Sequence, residues 1–580
     1  MTLRRYLSAI GLVTFFLADI SSAQTPHVAP PPHNNYSKPA APVAPPTKPK
    51  LVMLLVVDQM RGDYVDKFKG QWTGGLKRLI QEGAWFREAA YPYAATETCV
   101  GHATISTGAL PSMHGMIGNT WWDRESQKLV SCTSDPNAKD IAYGGGLVSG
   151  GDSAWRMRLP AFAEELRLQG GGASRVVTFS LKARAAITMA GHKADAVTWF
   201  DRGSWVSSTA YGSMPFIEEF VKAHPMKADY KKSWELSLPK GAYLYDEKAF
   251  GTNPAEGWGF TFPHVLSGKA GGDQPDAAFY DQWEMSPFAD TYLTKLAETA
   301  LDQLGLGKGS GTDFLAIGYS SPDHVGHAYG PRSWEIQDIL IRLDKDLAEL
   351  FAHLDSRVGR GNYVVALSAD HGVAPVPEDM QRMGADAGRI RIPELQDRIE
   401  NALEPFGYAK PAVARFANSD VYFSTGVYDK LKADPTAMRA VLDAVRGVAG
   451  VAEVYRAEDL QGLMEPLDPI RTAEANSYFA GRSGDIFIVP KPYWMVTPTR
   501  APKQLDSGTG HGTPYNYDQH VALFLMGGGI EHGEYFAPTT PVDIATTFAT
   551  LCGVTLATHE GRVLAEALKK TSGPAPKDAD

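Results

Sequence analysis

The sequence predicts an α/β fold: a mostly parallel central sheet with helices on both faces, and smaller α+β regions inserted into it. Three observations carry this. Leu51 to Val57 is a near-continuous apolar run ending in Asp58, the pattern of a strand covered on both faces in a parallel sheet. Similar short runs recur at Arg175 to Leu181, Phe314 to Tyr319 and Tyr363 to Ser368. Helix-length segments with apolar residues three and four apart lie between them, and strand, helix, strand at these lengths implies right-handed crossover units.

At the N-terminus, Arg4 and Arg5 precede an apolar stretch from Leu7 to Ala18, with Ser21 and Ala23 at the positions a signal peptidase reads. This is a secretory signal peptide over residues 1–23, too short for a membrane span, so an exported protein, periplasmic or extracellular, is expected. Residues 24–49 hold nine prolines and almost no large apolar side chains. Such a segment buries too little to offset its ordering entropy and is read as an extended linker.

One catalytic domain is expected over 50–565. Leu76, Leu79 and Ile80 have helical spacing behind the first strand. Ser286 and Pro287 open a helix presenting Leu293, Leu296, Ala297, Ala300, Leu301 and Leu304. A second long helix presents Ile336, Ile339, Leu340, Leu343, Leu347 and Leu350. The glycine run 305–311 follows a helix and precedes a strand, the reverse of a phosphate loop, and lacks GxxxxGK[ST], so it is a turn. Two regions break the rhythm. Residues about 195–285, rich in Trp, Tyr, Gly and Pro, are expected as one insertion. Residues about 376–500 are expected as a small α+β insert with strands near Val421 and Val451. The chain rejoins the main sheet near His520 to Met526, and 566–580 is a polar tail.

A net charge of −10 on 580 residues argues against a nucleic-acid partner, which would need a basic face. It leaves room for an anionic substrate, because bound metal ions set the local field. Of the three cysteines, Cys99 and Cys132 flank the candidate site and are the pair expected in an exported protein.

Ligands of open parallel sheets bind beyond the carboxyl ends of the strands, where Asp58, Asp323 and Asp370 all fall. A lone Asp there is an ordinary turn residue. Here Asp323 is followed by His327 four residues on, Asp370 by His371, and a tight glycine-flanked loop carries His511. Oxygen and nitrogen donors in this combination suit zinc. His102, His114, His324 and His520 are read as ordinary histidines, with His102 close enough in sequence to lie near the site. Thr98 begins a helix-like segment, where free N–H groups and the positive helix end favour an alkoxide and a phosphoryl oxygen; taken alone, it reads as an ordinary helix N-cap.

With these residues in view, the segments VVDQMRGDY, ETCVGHATISTG, GMIGNTWWD, SLKARAAI, SSPDHVGHAYGP, ALSADHGVAP and GTGHGTPYNYD resemble the alkaline phosphatase superfamily, and within it the PafA-type phosphatases. These are relatives of the nucleotide pyrophosphatase/phosphodiesterases. The resemblance runs from about residue 50 to about 560. It implies an alkaline-phosphatase-like core and two Zn2+ per chain. Asp323, His327 and His511 would hold one ion. Asp58, Asp370 and His371 would hold the other, with Thr98 as its further ligand and as the nucleophile. Asn119, Lys182 and Arg184 would contact phosphate.

Two zinc ions balance three carboxylates and a Thr98 alkoxide, and Lys182 with Arg184 then match a phosphate monoester dianion. The expected function is therefore hydrolysis of small-molecule phosphate monoesters through a phosphothreonine. Phosphodiesterase or nucleotide pyrophosphatase activity on the same site is the alternative. Cys99 lacks the CxPxR context of an arylsulfatase. A metal-dependent phosphoglycerate mutase would place Ser at the nucleophile and lack a leader. A binding protein would not need a nucleophile beside six ligands.

Overall fold

The computed structural model describes residues 48–570, apart from 146–147, 149, 270, 463–467 and 499–507. The expected leader, nearly all of the linker and the end of the tail lie outside the described residues. The described residues between 48 and 570 belong to one compact unit.

The main sheet has ten strands: β1 (Leu51–Val57), β2 (Ala84–Phe86), β3 (Asp140–Ala142), β4 (Val176–Ser180), β5 (Ala196–Asp201), β6 (Ser204–Ser208), β7 (Asp313–Tyr319), β8 (Tyr363–Ser368), β9 (Leu523–Gly527) and β10 (Gly533–Tyr535). Their order is β10-β2-β9-β8-β1-β7-β4-β5-β6-β3. The five central strands, β8-β1-β7-β4-β5, are parallel. Antiparallel pairings of β9 on β8 and β6 on β5 begin the two flanks.

β1 explains the architecture. All seven of its residues are buried, and alternate side chains feed opposite cores, as a strand's period of two requires. Leu51, Met53, Leu55 and Val57 join one core, to which α3 (Pro287–Leu304) and α5 (Trp334–Arg357) contribute Leu293, Leu296, Ile339 and Leu343. Val52, Leu54 and Val56 join the other, with Ile105 of α1 (Thr98–Thr107) and Met189 of α2 (Ala183–Ala190). The α/β class and its parallel centre are those the sequence predicts.

Residues 196–208, placed by sequence in the first insertion, form β5 and β6 of the main sheet. Their Trp- and Phe-rich pattern hides a strand pair because both faces are covered: Phe200 and Trp205 stack into a cluster with Trp283 and Tyr292. The later region has its own four-stranded sheet (Val413–Ala417, Asp420–Phe423, Ile486–Pro490, Val451–Arg456). Its core gathers Ile399, Leu431, Val441 and Val445. Among the described residues no helix is long and apolar enough to cross a membrane.

Candidate active site

Four adjacent strands, β8-β1-β7-β4, end on one side of the sheet, and each delivers a charged group there. Asp58 directly follows β1, and its N–H donates to Tyr319 O at the end of β7 at 2.9 Å. Asp370 follows β8 by two residues. Asp323 lies in the first turn of α4 (Ser321–Tyr329), which starts where β7 stops. Lys182 follows β4 and caps α2. Its Nζ lies 2.6 Å from Asp58 Oδ2 and 2.5 Å from Asp323 Oδ2, so one buried ammonium bridges two buried carboxylates. Gln59, in the left-handed region at φ 68°, donates its N–H to Asp370 Oδ1 (3.1 Å) and its amide to Asp323 Oδ1 (2.5 Å).

The histidines are oriented by their backs. Nδ1 of His327, His371 and His511 meets the carbonyl oxygens of Thr509 (2.9 Å), Gly372 (2.9 Å) and Thr96 (2.7 Å). A carbonyl only accepts, so each neutral ring carries its proton on Nδ1 and turns a bare Nε2 inward. Nε2 of His327 stands 3.2 Å from Asp323 Oδ1, that of His511 3.8 Å from the same oxygen, and that of His371 3.5 Å from both Asp58 Oδ1 and Asp370 Oδ2. Acceptor faces acceptor at these distances unless a proton or a cation lies between. Asp58 Oδ1 and His371 Nε2 are buried without a hydrogen-bond partner, while Asp370 Oδ2 faces His102 Nδ1 at 3.2 Å. Donor atoms of Asp58, Asp370 and His371, and of Asp323, His371 and His511, lie within 4.8 Å of one another. This nitrogen and carboxylate donor set fits divalent cations, zinc among them. His371 stands between the two groups, and His327 joins the second through Asp323.

Electrostatics separate the donors: burial drives His371 and His511 toward the neutral form, whereas Asp323, against burial, raises the His327 imidazole. Burial, reinforced by Asp323 and Asp370, pushes the Asp58 carboxyl well above its usual range. Burial opposes ionisation of Asp323 too, but His327 and Lys182 outweigh it and hold that group well below. The neutral form keeps the Nε2 lone pairs of His511 and His371 free.

Thr98 is the first residue of α1 and is buried. The helix packs so closely on the strand end that a Cβ at Gly101 would collide with the Asp370 carbonyl. His102, one turn on, places Nδ1 at 2.9 Å from Thr98 O and 3.2 Å from Asp370 Oδ2. Asn119 is fixed on three sides. Its side-chain oxygen accepts Cys99 N–H (2.9 Å), its own N–H donates to Glu97 Oε2 (2.7 Å), and its carbonyl accepts Cys132 N–H (3.0 Å). A Cys99–Cys132 disulfide, the pairing expected from the sequence, closes the same loop. Arg184 lies in the first turn of α2 and makes no ion pair with the three aspartates; its charge acts on Glu97 and Lys182.

The structure thus gathers Asp58, Asp323, His327, Asp370, His371, His511 and Lys182 directly, with Thr98 and Asn119 at the adjoining helix start. Sequence reasoning passed over Gln59, Glu97 and Asn418, and left His102 among the ordinary histidines. The spacing Thr98 to His102, one helical turn, was the available signal for His102. Asn418, whose amide donates to Glu97 Oε1, comes from a turn of the later insert and has no sequence signal.

Residues 52–515 match the family model of type I phosphodiesterase / nucleotide pyrophosphatase. The chain is 31% identical over 535 residues to alkaline phosphatase PhoV of Synechococcus elongatus, covering 90% of this chain and 93% of that one. It is 32% identical over 517 residues to alkaline phosphatase PafA of Elizabethkingia meningoseptica, covering 87% and 91%. A crystal structure of wild-type alkaline phosphatase PafA superposes with a TM-score of 0.81 at 31% identity, over 90% of this chain and 99% of that one.

Proposed function

Because the chain belongs to the type I phosphodiesterase / nucleotide pyrophosphatase family, and within it to the PafA-type alkaline phosphatases, we propose that it is an exported phosphomonoesterase holding two zinc ions and working through a phosphothreonine at Thr98. It is an enzyme, a phosphatase acting on phosphate esters. The observation that carries the finer reading is the convergence of inward Nε2 atoms and buried carboxylate oxygens beside a hydroxyl at a helix N-terminus.

In this reading Asp323, His327 and His511 hold one ion, and Asp58, Asp370, His371 and Thr98 the other. When bound, the ions supply Lewis acidity that favours an alkoxide nucleophile and an alkoxide leaving group. Thr98 gives its proton to solvent, and its oxygen bonds to phosphorus as the ester P–O bond breaks. The departing alkoxide takes a proton from water. A water oxygen then bonds to phosphorus, the Thr98 O–P bond breaks, and inorganic phosphate leaves. The Asn119 amide, with its oxygen already engaged by Cys99, offers its NH2 to a phosphate oxygen. Lys182 and Arg184 supply two positive charges, which match a monoester dianion better than a singly charged diester.

The test is hydrolysis of p-nitrophenyl phosphate beside bis-p-nitrophenyl phosphate, by wild type and Thr98→Ala, with and without a chelator. Faster monoester turnover that is lost in the variant, and restored by zinc after chelation, is the expected result. Diester preference would move the assignment to a phosphodiesterase, and chelator-resistant activity would remove the metal reading.

A further inference from the structure

A cavity of about 430 Å3 opens beside His327 and His511, within the size range of small-molecule sites. Part of its lining is apolar and comes from two separate regions of the chain. Leu129 projects from the hairpin that carries Asn119, while Ile392, Phe416, Trp494 and Met495 come from the later insert. Glu97, Asn119 and Asn418 line it as well.

The place of this cavity relative to the chemistry decides what it would hold. Thr98 starts the helix that packs on Asp370, so the nucleophile belongs to the Asp58, Asp370 and His371 end of the site. In-line displacement puts the departing oxygen on the opposite side of phosphorus. With Thr98 assigned to the Asp58 and Asp370 end, the departing oxygen is assigned to the side of His327 and His511, and both line the cavity. One side chain of this apolar lining is held in place: a Cβ at Gly388 or Gly450 would strike the Trp494 ring, and the indole N–H is tied to Asp386 at 3.1 Å. Apolar side chains here gain binding from an apolar group by removing its surface from water.

We propose that this cavity is the leaving-group subsite, and that it selects phosphate monoesters whose alcohol is bulky and apolar or aromatic over those of small alcohols. The inference rests on the assignment of Thr98 and of the His327/His511 side made above. Phe416 and Leu129 are its specificity residues. Neither is among the residues assigned above to phosphate or to the metal ions, and both side chains are apolar, so their assigned role is toward the alcohol. The chemistry is the same hydrolysis: the P–O bond to the apolar alcohol breaks as the Thr98 O–P bond forms.

Ethyl phosphate and 2-phenylethyl phosphate separate this effect from leaving-group reactivity, because both release a primary alcohol of similar acidity. Wild type is expected to show a kcat/KM for 2-phenylethyl phosphate about tenfold or more above that for ethyl phosphate, the scale on which apolar pockets discriminate. In Phe416→Ala, and separately in Leu129→Asn, that ratio falls toward one. In Phe536→Ala, an exposed aromatic position outside the cavity, it stays as in wild type. Thermal melting of each variant identifies any that fail to fold, and Leu129, 40% exposed, is the position where substitution disturbs packing least. A wild-type ratio near one, or a ratio kept in both cavity variants, overturns the proposal. Absence of activity on both esters and on p-nitrophenyl phosphate would instead overturn the phosphomonoesterase assignment on which it rests.

Discussion

The side-chain oxygen of Asn119 accepts the backbone N–H of Cys99 at 2.9 Å, so the residue after Thr98 decides which end of the Asn119 amide is free. With the oxygen engaged, the NH2 group is the end left to donate, which in the proposed reading is to a phosphate oxygen. The Cys99–Cys132 disulfide and the Cys132 N–H on the Asn119 carbonyl hold the two segments together, which makes the arrangement preorganised.

Asn119→Asp keeps the acceptor for Cys99 but replaces the donor with a second, negatively charged oxygen. It is expected to lower kcat/KM for p-nitrophenyl phosphate about 100-fold or more, as loss of one preorganised donor does, with little change in melting temperature. Cys132→Ser is expected to act mainly on stability, by about 2–4 kcal/mol. Denaturant titration and steady-state kinetics on both variants separate the two effects.

Lys182 bridges Asp58 and Asp323, and its removal leaves two buried carboxylates facing each other. Lys182→Ala is therefore expected to lower the melting temperature more in chelated protein than in zinc-loaded protein, since bound cations replace the missing charge. On activity, Lys182→Ala and Arg184→Ala are expected to reduce monoester hydrolysis far more than diester hydrolysis. Equal losses on both substrates would remove the dianion-matching role.

Glu97 is buried, and its two oxygens accept from Asn119 N–H and from the Asn418 amide. Burial lifts its carboxyl to about 7. A glutamine has only one accepting oxygen, so its NH2 must face one of these donors. Glu97→Gln is expected to lower kcat/KM about tenfold, near the free-energy scale of one buried donor left unsatisfied. The inhibition constant for inorganic phosphate should weaken in parallel, because the misplaced group is Asn119. Unchanged phosphate inhibition would show that Glu97 does not position Asn119.

Glu474, in the helix Pro469–Ser477 of the later insert, is buried, and burial together with nearby Asp420 raises its carboxyl to about 8. The folded state therefore holds a proton that the unfolded chain releases near the ordinary value of 4.5. Folding binds more protons than the unfolded chain across that interval, so stability falls as pH rises from about 4.5 to about 8 and is flat above. Glu474→Gln removes this loss. Its stability is expected to exceed wild type by about 1–3 kcal/mol at pH 9 and to equal it near pH 4.5, as thermal melts at both values would read. A gain of the same size at both pH values would show that ionisation is not its origin.

The fold class was legible because it depends on local pattern. β1, covered on both faces, has no room for a polar residue, so Leu51 to Val57 reads as a buried strand in any context. The three aspartates were legible because each sits at or just past the end of a strand, and His511 because its loop is flanked by glycines. Asp323 and His327 share a helical face, and Asp370 and His371 are neighbours in the chain. The leading exceptions are residues whose roles depend on a distant partner. β5 and β6 went unread as strands of the main sheet because their aromatic residues are buried by Trp283 and Tyr292, about 80 residues away. Glu97 and Asn418 are 321 residues apart and become a pair only when the insert docks on the core.

The sequence by itself determined the class of fold, the strand-end acids, the histidines beside them and the hydroxyl at a helix start. All of these follow from spacing along one or two turns or a single strand. Only the tertiary structure decided which acids meet, that Lys182 lies between Asp58 and Asp323, which end of Asn119 is free, and that an apolar cavity lies on the His327 and His511 side. Each of these is a distance between segments far apart in the chain. It is fixed by sheet order and by the close approach of α1 to Asp370, neither of which local composition encodes.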